Sequence, residues 1–276
     1  MTDGDPALIM VAPNGARKTP ADHPVLPVGP EALARTAAVC AEAGASILHL
    51  HVRDASMAHS LDPALYRDAI AAVRRETGPE FIIQITTEAV GRYGPDEQMA
   101  SVRAVRPEAA SLAVREMCPD ADSETAFAEF CEWMARENVV PQFILYDPAD
   151  VRRFADLRRR GLVVIDRPFV LYVLGRYSAD RQSAPRDMIP FIDAADDDEW
   201  IWAVCAFGRR EGACAAAALA LDGHARVGFE NNMLLADGRT APDNAALVAQ
   251  AVAAAELIGR PVASARSARN LLGVDR

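Results

Sequence analysis

Ser46-Ile-Leu-His-Leu-His-Val52 is a short, largely apolar run, and on a strand of period two its side chains divide between two faces. Leu48 and Leu50 then share one face, His49 and His51 the other. Just upstream, residues 30–43 read as a helix, with Pro30 preset for the first turn and Gly44 as a stop. The same alternation recurs along the whole chain. Apolar runs at 7–13, 46–52, 81–87, 109–114, 139–146, 169–175, 201–208 and 224–230 alternate with further helical stretches at 63–76, 95–105, 123–137, 148–160, 210–221 and 242–258. Asp62-Pro63, Gly94-Pro95 and Asp147-Pro148 each supply a cap and a fixed φ at a helix start. The connector 177–200 is weaker: it is polar and carries the acid run Asp196 to Glu199, so its helix should be short or irregular. Eight βα units without a flexible linker, and no GxGxxG after the first run, predict one (β/α)8 barrel of TIM type over residues 1–276 rather than an open doubly wound sheet.

A length of 276 residues suits a single barrel, for which roughly 250 are usual. Hydrophobic residues make up 51% and charged ones 25%, which argues for a packed core and against disorder. Residues 1–5 lack the basic start of a signal peptide, and no apolar run reaches the ~20 residues needed to span a bilayer. A cytoplasmic protein with no membrane partner is therefore expected. Cys40, Cys118, Cys131, Cys205 and Cys214 have neither CxxC nor CxxxC spacing, and their odd number fits core thiols better than a disulfide framework. A formal net charge of -10 opposes a general nucleic-acid footprint. It leaves open a small anionic substrate held by a local cluster of arginines.

Functional groups of such barrels lie where the strands end. Two imidazoles turned into a barrel would each need burial in neutral form with a partner, which favours metal ligation by His49 and His51 over an ordinary core role. Barrel closure sets the eighth run two strands from the second, and Glu230 ends that run on the parity of His224, Arg226 and Gly228. Gly228 should leave room for an approaching group. Glu230 is then the third ligand, the alternative being a plain salt bridge to Arg226. Two histidines and a carboxylate with an open position suit Zn2+, with Fe2+, Mn2+ and Co2+ as alternatives. Asn14 in Asn14-Gly15 either carries an amide to the mouth or forms an ordinary turn. Gln84, Thr86 and Glu88 point inward if Phe81, Ile83 and Ile85 face the helices. Arg115-Glu116, Arg176 and Arg209 follow the fourth, sixth and seventh runs, as solvated charges or as a site for a carboxylate or the phosphates of a nucleotide-bearing co-substrate.

Ala12-Pro-Asn-Gly-Ala16 with Thr19-Pro-Ala-Asp-His-Pro24, His49-Leu-His-Val-Arg-Asp54, Thr86-Thr87 and Gly223-His-Ala-Arg-Val-Gly-Phe-Glu-Asn-Asn232 together resemble the β-keto acid cleavage enzymes, typified by 3-keto-5-aminohexanoate cleavage protein. These motifs span nearly the whole chain and are specific in that order. The resemblance implies a TIM barrel with zinc on His49, His51 and Glu230. It also implies an acyl-transferring carbon–carbon lyase that condenses a β-keto acid with acetyl-CoA, releases acetoacetate and a new acyl-CoA, and works as a homo-oligomer, dimer or tetramer. Zinc would polarise the keto group and stabilise enolate charge. Arg226 and Thr86 would bind the substrate carboxylate or orient its neighbours, and Asn14, Thr87, Arg115, Gln142 and Arg176 are further candidate substrate contacts.

The chain departs from the family pattern at several of these positions. Many members have Asp directly after the zinc glutamate, where this chain has Asn231, and an amide cannot serve as a base. Many also carry two acids in a PExExFD pattern on the fifth strand, where Pro141-Gln-Phe-Ile-Leu-Tyr-Asp147 has Gln142 and Ile144. Conversely, Glu88 stands where glycine is common, and Arg115-Glu116 replaces a small polar stretch. Glu88 or Glu116 is therefore expected to carry proton transfer. One rival is an amidohydrolase-like barrel, which also uses an HxH pair. That pair belongs on strand one with further histidines from later strands, whereas here His23, His59 and His224 lie in loops or at a strand start. The other rival is an altered barrel that keeps the metal for a different hydrolase or lyase reaction, or only senses a carboxylate metabolite.

Overall fold

The apolar runs become eight strands: β1 (Ile9–Val11), β2 (Ile47–Leu50), β3 (Ile82–Thr86), β4 (Ala109–Ala113), β5 (Val140–Leu145), β6 (Phe169–Leu174), β7 (Ile201–Ala206) and β8 (His224–Val227). The computed structural model describes residues 5–195 and 199–274. Of the acid run at 196–199, Asp196, Asp197 and Asp198 lie outside the described residues. Each strand pairs in parallel with its neighbours in the chain, and β1 pairs with β8 through Ile9 and Ala225, Met10 and Arg226, and Val11 and Val227. The sheet is thus a closed (β/α)8 barrel.

Alternation along the strands makes two apolar layers. Leu8, Met10, Ile47, Ile82, Leu171 and Ala203 fill the interior. Ile9, Val11, Leu48, Leu50, Ile83 and Ile85 pack outward with the helices. That leaves His49, Gln84 and Thr86 on the interior parity, as the period-two reading requires. Helices start where local chemistry dictates: the Asp62 side chain accepts from Ala64 N–H ahead of Pro63–Thr77, and Asp147 accepts from Ala149 and Asp150 ahead of Pro148–Arg159. The helix read from 242 begins at Asn244 and runs to Leu257, because Asp243 is the residue whose side chain caps it, accepting from Ala246 N–H.

Several boundaries differ for identifiable reasons. β2 ends at Leu50, and the chain turns into a small antiparallel hairpin of Val52–Arg53 with His59–Ser60. His59, read as a loop residue, belongs to that hairpin. β8 ends at Val227 because Gly228 takes φ 135° and its Cα lies against strand one, where an added Cβ would stand 2.5 Å from Ala12 O. The room expected beside Gly228 is therefore occupied by the main chain of strand one. The weak connector after β6 holds a 3-10 turn, Pro185–Met188, and the short helix Ile189–Ala195. Two helices were not anticipated from the sequence. Val114–Met117 directly follows β4, and Ala265–Leu272 packs Leu271 and Leu272 against the interior layer. Glu108 ties that last helix in place by accepting from Arg269 Nη1, Arg74 Nη2 and Ile83 N–H. All five cysteines are buried thiols. Among the described residues no helix is long and apolar enough to cross a membrane.

Candidate active site

The C-terminal ends of β2 and β8, with β1 between them, bring His49, His51 and Glu230 together. His49 Nε2 and His51 Nε2 are 3.1 Å apart, and Glu230 Oε2 lies 3.6 and 3.5 Å from them. Tetrahedral donors at roughly 2.0–2.1 Å from an ion stand about 3.3 Å from one another. The triangle has that size. His49 Nδ1 is 2.7 Å from Gln84 Oε1, and because an amide oxygen only accepts, the ring carries its proton there and keeps the Nε2 lone pair free. Burial and the nearby Arg226 push the His49 pKa well below its ordinary value, so the ring is a neutral donor. Burial alone would raise Glu230, but the Arg226 guanidinium and the two imidazoles outweigh it and hold the carboxyl well below the usual carboxylate range. Its Oε2 is buried without a hydrogen-bond partner among the described residues. An unpartnered anionic oxygen facing imidazole nitrogens is an arrangement that a divalent cation completes.

The loop after β1 passes directly over this triangle. Gly15 has φ 63°, and a Cβ there would stand 2.6 Å from Glu230 Cγ. Arg53 fixes the loop by donating to Gly15 O, Lys18 O and Met57 O. Gly15→Ala is therefore expected to strain the turn and displace Glu230, so that any affinity of the triangle for a divalent cation falls about 10-fold or more with the fold retained. Competition with a chromophoric chelator measures this, and wild-type affinity in the variant would remove Gly15 from the account. Asn14 Nδ2 donates to His51 O at 3.2 Å, and Asn14 Oδ1 is buried without a partner among the described residues, which leaves an acceptor at the mouth.

Beside the triangle lies a cleft walled by Thr86, Glu116, Ile144, Tyr146, Phe207 and Arg226. Its outer part is lined by Arg17, Lys18 and Arg181 together with Asn14 and Asn231, and Glu88 and Arg176 border both parts. Glu88 Oε1 accepts from Arg17 Nη1 at 2.9 Å and Arg176 Nη2 at 2.8 Å, while Oε2 stands 4.0 Å from His51 Nδ1. Glu116 Oε2 accepts from Ala89 N–H at 3.1 Å. Burial raises the Glu116 pKa against that bond, and the charge of Glu88 adds to the rise. Arg226 Nη2 reaches Cys205 Sγ at 3.2 Å, Glu230 Oε1 at 3.3 Å and Asn231 Oδ1 at 3.5 Å, and its buried Nε has no partner among the described residues.

Not every residue expected at the substrate stands there. Thr86 Oγ1 accepts from Glu88 N–H and Thr87 Oγ1 donates to Ser111 O, and both residues line the inner cleft. Arg115 instead donates to Asp147 and Asp150 and lies over the Tyr146 and Tyr177 rings, so it joins two loops and is no part of the cleft wall. Gln142 is buried deep in the barrel, where its Oε1 accepts from Gln84 Nε2 at 3.2 Å and its Nε2 faces Met10 Sδ. It supports the amide that sets the His49 tautomer. Arg209 is exposed, and the cationic rim is made by Arg17, Lys18 and Arg181 instead. Arg17 and Lys18 share the Asn14-Gly15 loop, a signal present in the sequence. His59 Nε2 lies 3.0 Å from Glu88 O beside the His51 ring, and burial, helped by His51, pushes its pKa down to about 3. Glu211, read only as an early helix residue, is buried and accepts from Gly228 N–H, Asn231 Nδ2 and Asn232 Nδ2. Burial lifts its pKa to about 8 against the pull of these three donors.

A parallel α/β barrel that gathers two imidazoles, a carboxylate and an arginine-lined cleft at the C-terminal ends of its strands has the form of a barrel enzyme. Its family follows from comparison with known proteins: the chain belongs to the beta-keto acid cleavage enzymes, whose family model matches residues 6–274. It is 31% identical over 277 residues to a 3-keto-5-aminohexanoate cleavage enzyme of Acetoanaerobium sticklandii, covering 98% of each chain. A 3-oxoadipate:acetyl-CoA acetyltransferase of Cupriavidus necator is 29% identical over 275 residues, covering 98% of this chain and 95% of the other. Among solved structures, a ternary complex of ObcA with C4-CoA adduct and oxalate superimposes with a TM-score of 0.75 at 19% identity, covering 91% of this chain and 68% of that one, a likeness of fold.

Proposed function

We propose that this chain condenses a β-keto acid with acetyl-CoA and cleaves the product to acetoacetate and a new acyl-CoA, with zinc held by His49, His51 and Glu230. The observation that carries the reading is the donor triangle with edges of 3.1 to 3.6 Å beside Arg226, in a family whose relatives bear the names cleavage enzyme and acetyl-CoA acetyltransferase. Zinc held by His49, His51 and Glu230 would supply Lewis-acid stabilisation of negative charge developing on substrate oxygen. Arg226 offers an unpartnered Nε–H and its charge to the substrate carboxylate. Asn14 Oδ1 offers an acceptor at the mouth, and the outer cations Arg17, Lys18 and Arg181 suit the phosphates of an acyl-CoA.

Of the two acids considered for proton transfer, the geometry favours Glu116. Both border the inner cleft and burial raises the pKa of both, but Glu88 is held by two arginines, whereas Glu116 accepts from one backbone N–H, that of Ala89, which leaves it the freer to take a proton. Glu116→Gln is expected to lower kcat on the order of 100-fold with metal content unchanged. Glu88→Gln, which loosens Arg17 and Arg176, should raise KM more than it lowers kcat. Full turnover in Glu116→Gln would remove the proton role from that residue, and full turnover in both variants would end the proposal that either carries it. The reading as a whole is tested by metal analysis of protein purified without chelators, then by mass spectrometry of acyl-CoA products from acetyl-CoA and a panel of β-keto acids. Zinc with a new acyl-CoA supports it. Zinc without turnover favours a binding role, and metal-free wild type overturns the site.

A further inference from the structure

The Asn231 amide can be oriented from its neighbours alone. Its Nδ2 lies 3.3 Å from Glu211 Oε1 and 3.3 Å from Arg226 O, both acceptors, while its Oδ1 faces the Arg226 guanidinium at 3.5 Å. A carboxylate at 231 would set oxygen against two oxygens. An amide is the side chain that serves both sides, donating to Glu211 and accepting from Arg226. Glu211 in turn is surrounded by donors, with Gly228 N–H and Asn231 on Oε1 and Asn232 Nδ2 on Oε2, so that its ionised form, which burial shifts to alkaline pH, has a donor on each oxygen. It borders neither part of the cleft, so it does not touch substrate.

We infer that Glu211, acting through the Asn231 amide, supplies a second acidic group that steadies Arg226. The assignment rests on the proposed reaction, in which Arg226 holds the substrate carboxylate. Arg226 is buried, and its one direct acidic partner among the described residues, Glu230, belongs to the donor triangle. A second acid on the far side of Asn231 steadies the guanidinium without competing with substrate for it. Glu211 is thus a positioning residue. The amide at 231 is the link between that acid and the guanidinium.

A charge swap tests this. Wild type, Asn231→Asp, Glu211→Gln and the double variant are compared for kcat, KM and thermal unfolding, at about pH 9 so that Glu211 is ionised. Asn231→Asp alone places two carboxylates against each other, and Glu211→Gln alone removes the acid and turns an amide N–H toward a donor. Each is expected to lower kcat on the order of 30-fold or more. The double variant restores one acid and one amide, and should exceed either single variant in kcat by about 10-fold with KM little changed. Independent effects that multiply in the double variant, or a Glu211→Gln variant that is less stable but turns over normally, would overturn the assignment and leave Glu211 a structural acid. If wild type itself turns over no β-keto acid, the proposed reaction fails. In that case the melting temperatures still decide the pairing, because recovery in the double variant is expected only when 211 and 231 share one charge.

Discussion

His51→Ala is expected to cost metal retention and turnover together. Two donors would remain, His49 Nε2 and Glu230 Oε2, 3.6 Å apart, and a site reduced to two protein ligands holds zinc far more weakly than one with three. Dialysed protein should retain less than about a tenth of the wild-type metal, and turnover should fall by about 1,000-fold or more, because in the proposed reaction negative charge on substrate would lose its main stabilisation. The ring is buried and close to His59, so folding has to be verified separately by circular dichroism. Chelation gives the parallel result without mutation: stripped wild type should lose activity and recover it on addition of zinc. Wild-type metal content in a folded His51→Ala protein would place the ion elsewhere and undo the site.

Arg226→Met should separate the structural part of the site from the chemical part. In metal-free protein the guanidinium is the charge next to the largely buried Glu230, and removing one partner of such a pair costs up to about 3–5 kcal/mol. The metal-free variant should therefore unfold at a clearly lower temperature than metal-free wild type. Zinc bound at the proposed site would bring its own positive charge to Glu230, so loading should return most of that stability. Turnover should stay depressed by about 100-fold or more even when loaded, since nothing replaces the Nε–H and the charge offered to the substrate carboxylate. Paired melts with and without zinc, beside kcat of the loaded protein, check both halves. A loaded variant with wild-type kcat would free Arg226 of any role in the reaction.

The parts of this molecule that could be read from the sequence are those set by neighbours in the chain. The period-two parity of Ser46 to Val52 and of Phe81 to Thr87 assigned inner and outer faces, and the Asp-Pro pairs marked helix starts, because a cap acts within three residues. Depth along a strand was harder. Gln142 and Ile144 share one parity on β5, but 142 lies low in the barrel among Gln84 and Met10, and 144 is the residue that reaches the cleft. Arg115 looked like a free cation at a strand end, since its partners Asp147 and Asp150 come from the next βα unit and Asp147 already had a reading as a cap. Glu211 carried no reading beyond its place in the helical stretch 210–221. Its burial is decided by Gly228, Asn231 and Asn232, which fold beneath it from the following strand. The hairpin at 52–60 and the helix at 265–272 did carry local marks, in the Asp54 turn and the Ser264 cap, but short elements with such marks are hard to tell from loops.

Closure of the barrel falls between β1 and β8, the pairing that joins the two ends of the sheet in sequence. The donors straddle that seam, with two histidines on one side of β1 and Glu230 on the other. An ion bound there would stitch the cylinder shut at the place where loop-closure entropy is largest, since the residues it joins lie at opposite ends of the chain. A chain still lacking the final strand would offer such an ion only the histidine pair and would hold it loosely. Full affinity would then report that the cylinder has closed, and loss of the ion would loosen first the joint that was made last.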